Sequence, residues 1–120
     1  MGFFDDPTLQ DEIAKNREEL LKKHDNALRK FSDPANLKHM ADQIAWQLRR
    51  QFVASRGLKA EYHADVTPQG MTKDEISFVA HSQDAHHTLE KKLKEIDPAL
   101  KRVVLRLGYD GDDFAVNLFF

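Results

Sequence analysis

The chain has 120 residues, 41% of them hydrophobic and 32% charged, with a net charge of -2 and no cysteine. That length supports one domain, and the near-balanced charge argues against general electrostatic affinity for nucleic acid or anionic membrane. The lack of cysteine excludes a disulfide framework and a thiol nucleophile, and leaves any zinc site to His and carboxylate ligands.

The opening Met1-Gly2-Phe3-Phe4-Asp5-Asp6 has no basic n-region and no apolar stretch of signal-peptide length. It also places Asp6 where a myristoylation signal wants Ser or Thr. No apolar run approaches the roughly 20 residues that span a bilayer. The expectation is a cytoplasmic protein with no membrane association.

Two helices are predicted first. Asp6-Pro7 and Asp33-Pro34 each pair an amide-capping Asp with Pro at the first helical position. The first helix is predicted from Pro7 to about Phe31, with acid-first i,i+4 pairs at Glu18–Lys22, Glu19–Lys23 and Asp25–Arg29. Ile13, Leu20 and Ala27 make one apolar stripe and Ala14, Leu21 and Leu28 a second. Arg17 and His24 lie between the stripes and need partners if buried.

The second helix is predicted from Pro34 to Arg56, with Gly57 as its stop. Leu37, Met40, Ala41, Ile44, Leu48 and Phe52 form its apolar face, while Trp46 and Val53 lie on the opposite side. Apolar residues on two sides imply two covers: the sheet on one, and the first helix or a partner on the other.

The rest reads mainly as β. Leu58, Ala60, Tyr62, Ala64 and Val66 alternate with Lys59, Glu61, His63 and Asp65, the period of a half-buried strand. Thr67-Pro68-Gln69-Gly70 is a turn, and Ile76, Phe78 and Ala80 are expected to continue the apolar face on a second strand. A third helix is predicted over Gln83 to Ile96, capped by Ser82, with Ala85, Leu89, Leu93 and Ile96 inward and Asp97-Pro98 as its end.

The segment from Arg102 onward specifies a hairpin. Asp110-Gly111 is a two-residue type I′ signal, and it sets Leu107 opposite Phe114, Leu105 opposite Val116 and Val103 opposite Leu118 on one apolar face. The other face carries Arg102 opposite Phe119, Val104 opposite Asn117 and Arg106 opposite Ala115. The chain ends in Leu118-Phe119-Phe120, which could form an apolar edge strand.

The expected fold is α+β in the order ααββαββ, a four-stranded, mainly antiparallel sheet with helices on one face. It forms a single domain over residues 1–120, with a helical part at about 7–56 and a sheet-containing part at about 58–120.

Candidate chemistry is sparse. His81, Asp84, His86, His87 and Glu90 crowd the junction between the second strand and the third helix, and His86 and Glu90 share a helical face. His81, His86, Glu90 and His63 are weak metal candidates, because no HExxH-type signature converges three or four ligands. A histidine-based small-molecule or hydrolytic site is the alternative reading, but nothing implies a cofactor. Tyr109-Asp110-Gly111-Asp112-Asp113 lacks an EF-hand pattern and reads as a turn. No GxSxG elbow or Gly-rich phosphate loop occurs, and Ser77 facing His63 would still lack an orienting acid.

Lys101, Arg102 and Arg106 with Phe119, near Arg49, Arg50, Arg56 and Lys59, give a weak single-strand nucleic-acid reading, opposed by Glu61 and Asp65 on the same face. The leading expectation is a non-catalytic binding or protein-interaction domain whose partner is a second copy or another protein. Trp46, Val53, Arg49 and Arg50 are its interface candidates, with Arg102 and Phe119 on the outer sheet face as a second surface.

Overall fold

The computed structural model describes residues 7–57 and 59–120. Helix α1 spans Pro7–Phe31 and α2 spans Pro34–Ser55; β1 (Glu61–Val66) follows, then α3 (Lys73–Ala80), α4 (Gln83–Ile96), β2 (Arg102–Leu107) and β3 (Phe114–Phe119). The class is α+β as expected. The sheet has three antiparallel strands in the order β1-β3-β2, so the order of elements is ααβααββ. Asp6 and Leu58, read above as a cap and a strand residue, lie outside the described residues.

The segment expected as a second strand is helix α3. Ile76, Phe78 and Ala80 fit a period of two, but Ile76, Val79 and Ala80 fit a helical face equally well, and those three are buried. Capping decides between the two patterns. The Thr72 hydroxyl accepts from the Glu75 amide (3.3 Å), and the Glu75 carboxylate accepts from the Thr72 amide (2.9 Å), a reciprocal capping box. Lys30 at the end of α1 also donates to Glu75, with N···O distances of 2.8 and 3.0 Å. These contacts hold the Glu75 carboxyl below its ordinary value, first through the Lys30 hydrogen bond and then through the Thr72 amide.

With no second strand to pair with, β1 turns to β3, aligning Tyr62 with Leu118, Ala64 with Val116 and Val66 with Phe114. The terminal strand is therefore central and not an edge. Its pairing with β2 has the expected register: Val103 with Leu118, Leu105 with Val116 and Leu107 with Phe114. The turn differs from type I′, which would need positive φ at both Asp110 and Gly111. Only Gly111 is left-handed (φ 76°). The Gly108 amide donates to the Asp113 carbonyl (2.9 Å) and the Gly111 amide to the Gly108 carbonyl (3.1 Å), making a four-residue loop on the same diagonal. A Cβ at Gly108 would lie 1.7 Å from the Asp113 carboxylate and 3.0 Å from the Asp113 carbonyl, so the Asp113 side chain would have to move to admit one.

All helices contribute to one face of the sheet. Phe31 of α1 meets Phe114 edge-on (5.6 Å between rings), and Met40 and Ile44 of α2, Val79 of α3 and Leu89 of α4 complete the core. Asn36 is buried among them and joins three segments. Its amide donates to the Lys30 and Phe31 carbonyls at the end of α1 (3.2 and 3.4 Å), and its Oδ1 accepts from the Gln69 amide (2.8 Å) in the β1–α3 loop. Helix α2 ends one residue earlier than expected: Arg56 itself adopts the left-handed conformation (φ 55°), followed by Gly57 (φ 71°) lying over the Phe52 ring.

Helix α1 packs chiefly on α3, and only its last turns join the core through Ala27, Leu28 and Phe31. Every side chain from Asp11 to Lys23 is exposed. The principal extents of 68 × 27 × 26 Å reflect this projecting arm. The acid-first pairs expected along it are not among the ion pairs formed by the described residues.

Candidate interaction surfaces

The second apolar side of α2 has no full cover among the described residues. The first helix runs to α3 and leaves Trp46 57% and Val53 76% exposed. The Arg50 guanidinium sits 4.7 Å above the Trp46 ring, and Arg49 is exposed beside it. Phe52, expected in the core face, is 56% exposed, with its ring stacked on Tyr62 at 6.2 Å. A shallow groove beside Trp46 is lined by His39, Asp42, Gln43 and Gln47.

Three residues of that region perform a task that the hydrophobic pattern did not announce. Gln43, Gln47 and Gln51, spaced by four, each donate to and accept from the backbone of one β1-side residue. Gln43 pairs with Thr67 (2.9 and 2.8 Å), Gln47 with Asp65 (2.7 and 2.9 Å) and Gln51 with His63 (2.5 and 3.3 Å). One helical step of four residues rises about 6 Å, and two strand residues about 6.7 Å, so three flexible side chains can track three alternate strand residues. The glutamines occupy the place of a fourth strand on the open side of β1. The i,i+4,i+8 repeat of one residue type was the available sequence signal.

The outer sheet face carries the second candidate surface. Arg102 lies 4.4 Å from the Phe119 ring. Arg106 donates to Asn117 (2.7 Å), which donates in turn to Glu61 (2.7 Å), so part of the basic strip is tied to an acid across all three strands.

The histidines do not converge. His63 pairs with Asp65 (2.9 Å) on the outer face, and His81 bonds the Ser77 carbonyl (2.7 Å) at the end of α3. The His86 ring is 3.4 Å from the Ala80 carbonyl, and Glu90 is engaged by Lys94 (2.6 Å). His81 and His86 thus flank a helix–helix junction and not the expected strand–helix one, and Ser77 faces no strand partner. Among the described residues no group of three or more His, Asp or Glu side chains could hold a metal ion.

The hairpin loop is acidic: burial, then repulsion from Asp112, Asp65 and Asp110, raises the Asp113 carboxyl above its ordinary value. No helix among the described residues is long and apolar enough to cross a membrane. The chain matches no family model, no curated protein and no solved structure.

Proposed function

We propose that the protein is a non-catalytic protein-interaction domain of the cytoplasm, binding either a second copy of itself or another protein. The observation that carries this reading is the uncovered second face of α2, where Trp46 and Val53 stand exposed beside Arg49 and Arg50. Trp and Arg are favoured anchors at protein interfaces, and exposed apolar groups of this size on an otherwise amphipathic helix are suited to a partner. The exposed apolar residues of the α1 arm, Ile13, Leu20 and Leu21, extend the same argument to a second surface. The dispersed histidines favour binding over chemistry.

Replacing Trp46 with Ala tests the reading. Trp46 contributes little to the core, so the far-ultraviolet spectrum and thermal midpoint should stay unchanged. Association, read by native mass spectrometry and sedimentation on gently purified protein, should weaken by about tenfold or more. Unchanged association, or loss of fold, would count against the Trp46 face.

A further inference from the structure

The outer face of α2 is open from end to end: Ala35 near its start, Asp42, Trp46, Arg49 and Arg50 in the middle and Val53 near its finish are all exposed. Trp46 stands close to the centre of the helix, and its neighbours on this face are spaced evenly about it. Asp42 and Arg50 lie four residues to either side, each about 40° from the Trp46 direction. Arg49 lies three residues later and about 60° off, on the same flank as Asp42. His39 and Val53 lie seven residues to either side, about 20° off. Asp42, Arg49 and Arg50 form no ion pair among the described residues, and Arg50 rests on the Trp46 ring at 4.7 Å.

This charge pattern selects its occupant. An acidic partner would leave Asp42 opposed, and a basic one would leave Arg49 and Arg50 opposed. A reversed copy of the same face offers an opposite charge to each. We infer that the outer face of α2 takes a second copy of this chain, the two helices packing antiparallel about a two-fold axis at Trp46. This rests on the interaction reading of the Trp46 face and names its partner.

The two-fold operation inverts heights along the helix and keeps the flanks. Asp42, about 6 Å before Trp46 along the axis, then comes level with Arg49 and Arg50 of the second copy, which lie about 4.5 and 6 Å after theirs. Arg49 of the second copy is on the same flank as Asp42. Arg50 of the second copy comes from the other flank, over the shallow groove lined by His39, Asp42, Gln43, Trp46 and Gln47. Each Asp42 is thus set between two arginines, once on either side of the axis. Trp46 meets Trp46 of the second copy at the axis, and Val53 lies over His39 of the second copy. Lys38, about 80° from the Trp46 direction, points outside the seam. A single helix pair is smaller than a standard interface and implies dissociation constants on the order of 10 μM.

Trp46 is the only tryptophan of the chain, so its fluorescence reports this face alone. The test is sedimentation velocity with acrylamide quenching on the full chain from about 1 to 300 μM, a range that brackets that value. Wild type should dimerise, and Trp46 should become shielded from acrylamide over the same concentrations. Asp42→Lys and Arg49→Glu/Arg50→Glu should each weaken the dimer by about tenfold or more, because each sets like charges together on both sides of the axis. Mixing those two variants should restore dimerisation, since the new lysine meets the new glutamates and the retained Asp42 meets the retained arginines; a folding defect could not be rescued in this way. A dimer that leaves Trp46 open to acrylamide, or a mixture no better than its components, would overturn the pairing. A wild type monomeric at 300 μM would also overturn it. The interaction reading would then survive only if native mass spectrometry showed another protein retained by wild type and lost from Trp46→Ala.

Discussion

The glutamine ladder makes a quantitative prediction. Gln47 lies at its centre, donating to the Asp65 carbonyl at 2.7 Å and accepting from the Asp65 amide at 2.9 Å. Gln47→Met keeps the length and flexibility of the stem and removes both bonds, together with a longer one donated to the Gln43 carbonyl (3.3 Å). A typical net contribution is about 1 kcal/mol per hydrogen bond, which sets an upper bound of about 3 kcal/mol. Two effects reduce it. The site is partly open to water, so the freed backbone groups can rehydrate, and Met is released from the single rotamer that Gln47 must hold. The expected loss is about 1 kcal/mol, or about 3–6 °C in the thermal midpoint for a chain of this size.

Urea unfolding followed by circular dichroism measures the loss, and hydrogen exchange localises it. The Asp65 amide should exchange in wild type like that of an interior strand and accelerate in the variant, with His63 and Thr67 less affected. A cost below about 0.3 kcal/mol together with unchanged Asp65 exchange would refute the ladder as a stabilising element.

Two carboxyl groups should give opposite pH signatures. The Glu75 carboxyl lies below its ordinary 4.5 in the folded state, so its contribution is full above that value and is lost as pH falls through the folded pKa. Glu75→Gln should therefore be less stable than wild type at pH 6, by less than about 1 kcal/mol, with the gap closing below pH 4 as read by urea titration. The Asp113 carboxyl lies above its ordinary 3.8, so its ionised form opposes folding, and the penalty disappears as pH falls through that range. Asp113→Asn should stabilise the protein at pH 7 and have no effect at pH 3, by the same assay. Asn36→Ala takes the side-chain partner from the Gln69 amide and from the Lys30 and Phe31 carbonyls at a buried position, where Lys30 keeps only its longer bond from the Asp33 amide (3.4 Å), and should cost about 2 kcal/mol in chemical unfolding.

How far the sequence could be read depended on whether a signal was local. The Asp33-Pro34 start of α2, the span of α4 and the register of the β2–β3 hairpin rest on neighbouring residues, and all three stand in the structure. The hairpin register survived a wrong turn type because Gly108–Asp113 lies on the same diagonal as the two-residue alternative. The strand expected at Ile76–Ala80 failed for the complementary reason. Over five residues the two periods cannot be separated, and the deciding signal is the Thr72–Glu75 box just before them. The partner of β1 was not legible locally, since β3 lies some fifty residues away and depends on closure of the whole chain. For the interaction surfaces, Trp46, Val53, Arg49 and Arg50 could be picked out by position on a helical wheel. The exposure of the α1 arm follows from the route α1 takes to α3, which no local pattern encodes.

The ladder also sets an arithmetic for how sheets of this protein can join. By strand alternation Val103, Leu105 and Leu107 of β2 turn their backbone groups away from β3, toward a side that no strand pairs with among the described residues. The β1 side is occupied by side-chain amides that mimic a strand but present no further ladder beyond themselves. Growth of a continuous sheet from molecule to molecule needs two usable edges on each, one to receive and one to pass on. Here there is one. Two molecules meeting at β2 would consume both available edges and terminate, so three glutamines convert a potential fibre-forming unit into one whose edge association stops at a pair.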